Sequence, residues 1–190
     1  MNNKIKKLNL GCGPDYKQGW TNLDFDKSVK ADKYVNLNKG YWLGLKSDHY
    51  DYVLCSHILE HLEIPFPSIV SELYRISKNK AIIEIRAPFF LSTKYYADPT
   101  HKIPFSIRTF ENYTIPENLK FYEKWRKNPN LTDYGIKEKF RLLKKRFIYS
   151  NYKILKWMNF ICNIEPVFYE RFLAGILPPE EVYFKLEVIK

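Results

Sequence analysis

The chain has 190 residues, a hydrophobic fraction of 45%, an aromatic share of 17% and a formal net charge of +10. That length and composition fit one globular domain over residues 1–190 with a sizeable core, and no stretch reaches the roughly 20 apolar residues that span a bilayer. The basic start MNNKIKKLNLGCG has no apolar run of a secretory signal. The three cysteines, Cys12, Cys55 and Cys162, are widely spaced and form no CxxC, which argues against a disulfide framework or structural zinc and for a reducing, cytoplasmic setting.

Residues 5–10 predict a first strand that runs straight into Gly11-Cys12-Gly13-Pro14, and Thr21 to Phe25 predicts a second, ending at Asp24 and Asp26. Strand, glycine loop, strand, carboxylate is the order that builds a nucleotide pocket in an α/β sheet. The glycines let backbone approach a ligand that a Cβ would repel, and a carboxylate can hold ribose hydroxyls. The dinucleotide fingerprint is incomplete: Tyr16 stands where its third glycine would be, and the acid arrives well before the usual spacing of about 20 residues. Only ten residues separate Gly13 from Asp24, whereas a parallel crossover usually takes a dozen or more. Either the first crossover is compressed, or the second stretch is not paired next to the first.

Residues 34–37 predict a short third strand and residues 50–55 a buried one. From Pro67, a residue suited to a first helical turn, Ile69, Val70, Leu73 and Ile76 fall at helical spacing, with Asn79 as the expected stop. Residues 81–85 predict a strand ended by Pro88, and 89–118 a loop region rich in Tyr, Thr and Pro. Short strands or helices are expected at 107–113 and 138–149, and helices at 152–163 and 165–175. A final strand is expected at 181–189, with Val182, Phe184, Leu186 and Val188 on one face. Alternating strands and helices predict an α/β fold: a mostly parallel sheet flanked by helices, with an antiparallel C-terminal strand.

The first 61 residues resemble the class I methyltransferases that use S-adenosylmethionine, in their compact methyltransferase-11-like branch. LNLGCGP is similar to the first motif of that family, Asn22-Leu23-Asp24 to its acidic second strand end, and Tyr50 through His61 to its strand-then-LEH segment. The likeness runs from about Lys7 to His61 and more loosely through Pro88. A branch with the same short link would account for the compressed crossover. The resemblance implies a Rossmann-like sheet, S-adenosylmethionine as cofactor and methyl transfer as activity. It implies Asn9, Gly11, Cys12 and Gly13 near the methionine end, Asp24 with Phe25 at the ribose, and Asn36-Leu37 at the adenine. It puts Ser56 and His57 by the cleft, with Glu60 and His61 bracing it. The cofactor half would cover about 1–88, and the acceptor side and basic segment about 89–190.

His57-Ile58-Leu59-Glu60-His61, taken alone, is the H-x-x-E-H of zinc hydrolases, with the two histidines on one helix face and Glu60 as base. Pro65 interrupts that helix early, and no third ligand can be named; His61 reads equally as a structural hydrogen-bonding histidine. Further on, Asp98-Pro99-Thr100-His101 sets a carboxylate near an imidazole, a segment that compact members of the resembled family also carry. Two readings stand: His101 faces a methyl acceptor as general base with Asp98 as its orienter, or Asp98 caps a turn before Pro99.

Between Lys120 and Lys156 there are twelve Lys/Arg against three acids, so most of the excess charge sits in one segment. It is either a solvated basic face or a contact for an anionic partner. The expected acceptor is a small molecule or a sugar-containing precursor. RNA methylation, or a non-catalytic nucleic-acid or anionic-surface binding protein on the same fold, is the alternative. Phe121, Tyr122, Trp125, Phe140, Phe147 and Trp157 are interleaved with the cations; they could stack on bases, though such spacing more often marks a core.

Overall fold

In the first strand, β1 (Lys7–Leu10), every second side chain is apolar, and Leu8 and Leu10 are buried on one face while Asn9 is buried on the other. The structure, a computed structural model, describes residues 5–115, 137–150 and 155–190. Around β1 it forms one seven-stranded sheet in the order β3-β2-β1-β4-β5-β7-β6. Strands β2 (Thr21–Asp24), β3 (Lys33–Tyr34), β4 (Tyr50–Ser56) and β5 (Ser77–Pro88) run parallel with β1. Two strands close the far edge antiparallel: β7 (Glu181–Ile189) lies against β5, and β6 (Lys139–Ile148) lies outside β7. The sheet is therefore mostly parallel with an antiparallel C-terminal strand, as expected, and that strand carries β6 as a second antiparallel neighbour.

β1 and β2 are direct neighbours, so the short link between them is a compressed crossover. Residues 11–20 contain turns and no helix. A polar network does the work a helix would otherwise do. Asn22, fully buried, accepts Lys17 N–H at 2.8 Å and donates to Lys17 O at 2.9 Å. Its amide also reaches Asp32 Oδ2 at 3.0 Å, and its backbone N–H bonds the same oxygen at 2.7 Å. Asn9 donates to Asp15 O at 2.8 Å and to Asn22 Oδ1 at 3.2 Å. Buried backbone groups must find partners, and here side chains on β1 and β2 supply them.

β4 and β5 are joined by α1 (Phe66–Ile76). Pro67 sits in its first turn, and Ile69, Val70, Leu73 and Ile76 are buried at the expected spacing. Together with Leu8, Leu10, Val53, Cys55, Ile83, Ile85, Phe184 and Leu186 they form one apolar cluster, each side chain contributing about 1.5–3 kcal/mol. Glu72 lies in the same helix yet is buried. Arg75 grips it at 2.7 and 2.8 Å, and Glu72 Oε2 accepts Trp42 N–H at 2.8 Å. This pair seats Trp42, fully buried, against α1.

Several boundaries differ from the sequence expectation: β5 spans Ser77–Pro88 rather than 81–85, and the helices expected at 152–163 and 165–175 are Met158–Ile164 and Pro166–Phe172. α1 stops at Ile76 rather than Asn79, because Ser77 already pairs with Tyr50 and Lys80, at φ +63°, takes the bend. The expected third strand at 34–37 is only Lys33–Tyr34, since Asn36 caps a short 3-10 turn over Leu37–Lys39. The region 107–113 holds a single 3-10 turn, Glu111–Tyr113. The loop after β5 carries a five-residue helix, α2 (Thr93–Ala97), and two further short helices, α3 (Met158–Ile164) and α4 (Pro166–Phe172), precede β7. No described helix is long and apolar enough to cross a membrane.

Candidate functional site

Because β1, β2, β4 and β5 are parallel, their carboxyl ends open on one edge of the sheet, where ligands bind in such folds. Gly11, Asp24, Ser56-His57 and Phe89 all fall there. Gly11 has φ +65°, and a Cβ on it would come within 2.7 Å of three Ile58 side-chain carbons. Its missing side chain is thus filled by Ile58. Gly13 differs: φ is +47°, and a Cβ there would meet no described residue within 4 Å. Cys12 between them is buried, its N–H bonding Leu23 O at 2.9 Å. Burial, followed by the charge of Asp24, pushes its thiol above the ordinary range, which makes it a poor nucleophile.

Asp24 closes this loop. Its Oδ2 accepts Gly13 N–H at 2.7 Å, and its Oδ1 accepts Phe25 N–H at 2.8 Å and Asp26 N–H at 3.0 Å. A carboxylate has about four acceptor positions, so one remains for a ligand hydroxyl. Phe25 beside it is 70% exposed. The remaining expected cofactor residues divide. Asn9 is buried and bonded to Asp15 and Asn22, so it holds the loop rather than facing a ligand. Leu37 is a core residue whose carbonyl accepts Trp42 Nε1–H at 3.0 Å, and exposed Asn36 accepts Asn38 N–H at 2.9 Å.

At the end of β4, Ser56 lines a polar cleft of 780 Å³ with Asp15, Lys17, Glu84 and Arg86. His57 follows at φ +54°, a conformation that costs a bulky residue about 1–2 kcal/mol and marks a site that the surroundings over-determine. Its N–H bonds Arg86 O at 2.9 Å. Its ring stands between two buried acids, Nδ1 3.3 Å from Glu60 Oε1 and Nε2 3.7 Å from Glu181 Oε1. Because His57 is left-handed and only Leu59–His61 form a 3-10 turn, His57 and His61 do not share a helix face. The zinc-hydrolase arrangement expected of H-x-x-E-H is therefore absent.

Sequence reasoning missed Glu181, Arg86 and Lys94. Glu181 is 3% exposed, with Arg86 Nη2 at 2.6 Å and Lys94 Nζ at 3.1 Å. Only its register opposite Pro88, across the antiparallel return, brings it to this edge. Burial alone would raise its pKa; the hydrogen bond and charge of Arg86, with Lys94 and His57, outweigh it and hold the carboxyl below the ordinary value of 4.5. A depressed folded-state pKa stabilises above the unfolded value and is lost as pH falls through the folded one. Stability should therefore drop as pH is lowered below about 4.5, and Glu181→Gln should flatten that limb in urea melts; an unchanged limb would remove Glu181 from the account.

The loop beyond β5 is pinned to the turn after β4: Lys102 and Ile103 N–H bond Glu60 O at 2.7 and 3.1 Å. Asp98 does not orient His101. Its Oδ1 accepts Thr100 N–H at 2.8 Å and Thr100 Oγ1–H at 2.6 Å, and Oδ2 lies 3.9 Å from His101 Nε2, beyond hydrogen-bond range. The turn at Pro99-Thr100 curls the carboxylate back onto Thr100, as the capping alternative expects. His101 is oriented instead by Tyr95 O, 2.7 Å from Nδ1. His61 meets this loop, Nδ1 2.8 Å from Thr100 Oγ1, with its ring centroid 4.6 Å from that of His101.

Most of the basic segment 120–156, with Phe121, Tyr122 and Trp125, lies outside the described residues. Of its described part, Phe140 and Phe147 are core residues, Trp157 just beyond is exposed, Arg141 pairs with Glu187, and Lys145 lies 3.4 Å from Glu111.

No protein-family model matches the sequence, and no curated protein matches it. Solved structures do. A SAM-dependent methyltransferase from Archaeoglobus fulgidus aligns with TM-score 0.55 at 18% identity, over 97% of this chain and 86% of its own. An S-adenosylmethionine-dependent methyltransferase from Mesorhizobium loti aligns with TM-score 0.53 at 11% identity, over 96% and 90%. The cyclase SpnF aligns with TM-score 0.54 at 11% identity, over 97% and 75%. The chain has the fold of the class I SAM-dependent methyltransferases.

Proposed function

We propose that this chain transfers a methyl group from S-adenosylmethionine to a small molecule or sugar-containing precursor. One observation carries the reading: Gly13 and Asp24 meet across the ends of adjacent parallel strands, with open space where a Gly13 Cβ would stand. A ligand can lie against that backbone, and the fourth acceptor position of Asp24 can take a ribose hydroxyl. Exposed Phe25 offers a flat apolar surface beside it, and Ser56 and His57 form the opposite wall. When bound, the cofactor supplies an activated methyl on a good leaving group, which leaves the protein to align the acceptor and exclude water.

Residues 89–105 form the acceptor side. Tyr95 O can only accept, so His101 Nδ1 carries a proton, and in the neutral imidazole Nε2 keeps its lone pair. That nitrogen is free to take a proton from an acceptor or to hold an ion. The fold alone does not settle the reaction, since SpnF is named for cyclisation. The deciding experiment is calorimetric titration with S-adenosylmethionine and with its demethylated product. About one site per chain is expected, weakened at least ~10-fold by Asp24→Ala, the size of a lost hydrogen bond to a charged group. If neither compound binds, the reading is wrong.

A further inference from the structure

Glu60 is the anomaly of this molecule. It is 0% exposed, and neither carboxylate oxygen has a hydrogen-bond partner among the described residues. His57 Nδ1 is 3.3 Å from Oε1 but is not aligned to bond it. An orphaned buried carboxylate is costly, so the site calls for a cation. Two imidazoles stand beside it: Glu60, His61 and His101 each offer a ligand atom within 4.8 Å of the other two.

The hydrogen bonds around the two rings prepare them as ligands. His101 gives its Nδ1 proton to Tyr95 O. Thr100 spends its hydroxyl hydrogen on Asp98 Oδ1, so its oxygen accepts from His61 Nδ1. In their neutral form both rings are thereby set as Nδ1–H tautomers with a lone pair on Nε2. Ligating histidines are typically held this way, the second nitrogen donating to a carbonyl or other acceptor. The backbone holds the pieces together, because Lys102 and Ile103, next to His101, bond the Glu60 carbonyl.

We propose that Glu60, His61 and His101 form a binding site for a divalent transition ion of the zinc class. Two imidazoles and one carboxylate suit Zn²⁺ and its neighbours Fe²⁺, Co²⁺ and Ni²⁺; Mg²⁺ and Ca²⁺ favour all-oxygen shells. Tetrahedral bonds of about 2.0–2.2 Å place donors roughly 3.4 Å apart, so the ligand atoms draw in by up to about 1.4 Å as the ion enters. Three protein ligands leave a fourth position for water or another oxygen. His57 Nδ1, 3.3 Å from Glu60 Oε1, would then lie outside the metal shell. The ligand set differs from the one H-x-x-E-H suggests: Glu60 is a ligand rather than a base, and the third ligand, His101, comes from forty residues further along the chain. The inference stands on these side chains and does not depend on methyl transfer.

The test uses the full chain, stripped with chelator, reloaded with Zn²⁺ and desalted. Elemental analysis should find about one zinc per chain, and Co²⁺ in its place should give the visible absorption of a low-coordinate site. His61→Gln and His101→Gln, which preserve side-chain bulk, should each lower zinc affinity by at least ~100-fold, more than loss of an outer-shell partner costs. His49→Ala, at a remote histidine, should leave binding unchanged. Far-UV circular dichroism confirms which variants are folded. Wild-type protein that retains less than about a tenth of an equivalent overturns the proposal, whatever the variants do. So does a folded His61→Gln/His101→Gln double variant that binds zinc as wild type does.

Discussion

Replacing Gly11 with alanine is expected to destabilise the fold by about 2–5 kcal/mol, while the same change at Gly13 costs about 1–2 kcal/mol and falls instead on ligand binding. Both residues have positive φ, +65° and +47°, so both substitutions carry the left-handed penalty of about 1–2 kcal/mol. They differ in surroundings. A Cβ on Gly11 comes within 2.7 Å of Ile58 Cγ1, Cδ1 and Cβ, whereas on Gly13 it meets open space. Ile58 is partly buried and packed against the core, between His57 and the turn that presents Glu60 and His61. It cannot move without disturbing both, so overpacking adds about 1–3 kcal/mol. Urea melts of the two variants measure the difference. Trimming the obstacle with Ile58→Ala in the Gly11→Ala background should recover part of the loss, since its Cβ remains in the way. Equal midpoints for Gly11→Ala and Gly13→Ala would show that Ile58 yields freely and that the two glycines serve one purpose.

That contrast marks where sequence reading ends. Gly11 and Gly13 look alike in Leu10-Gly11-Cys12-Gly13, and only the placement of Ile58, forty-seven residues later, separates a packing glycine from an open one. What depends on side-chain period was legible. Val182, Phe184, Leu186 and Val188 are buried on one face of β7, and Ile69, Val70, Leu73 and Ile76 on one face of α1. The join of glycine loop to Asp24 was legible because the two lie at the ends of consecutive strands. Contacts set by tertiary register were not. Asp98 could orient a histidine or cap a turn, and the choice fell to Thr100. His61 is expected to brace the cleft, but its partners Thr100 and His101 are not legible, because they meet it only where Glu60 O takes two N–H groups from the 102–103 backbone. Glu181 reaches the site only because β7 returns antiparallel beside β5.

The helix-free crossover leads to the second large effect. Asn22→Leu, which keeps the branched heavy-atom outline and removes the amide, should cost about 3–5 kcal/mol, comparable to a large core truncation. A Leu at this position fits the alternation of β2 as well as Asn does, so pattern alone gives no reason for the amide. The structure does: Asn22 satisfies both backbone groups of Lys17 and binds Asp32 and Asn9 from a fully buried position. Removing it leaves the part-buried Lys17 N–H unpaired, at about 1–3 kcal/mol, leaves Lys17 O only the 3.3 Å bond from Trp20 N–H, and takes one bond each from Asn9 and Asp32, at about 1 kcal/mol apiece. Tyr16→Phe is the natural control. It deletes only the 2.9 Å bond from the Tyr16 hydroxyl to Asp32 Oδ1, near the surface, and should stay within about 1 kcal/mol of wild type. Amide exchange adds a local readout, since the Lys17 and Cys12 N–H groups should lose protection in Asn22→Leu before the β5–β7 pairing does. If Asn22→Leu melts within about 1 kcal/mol of wild type, the crossover is held by packing and not by this network. A second consequence separates the two explanations: in the network account the loop that carries Gly13 loosens with Asn22, so ligand affinity falls together with stability, whereas a loop held by packing would keep its ligand.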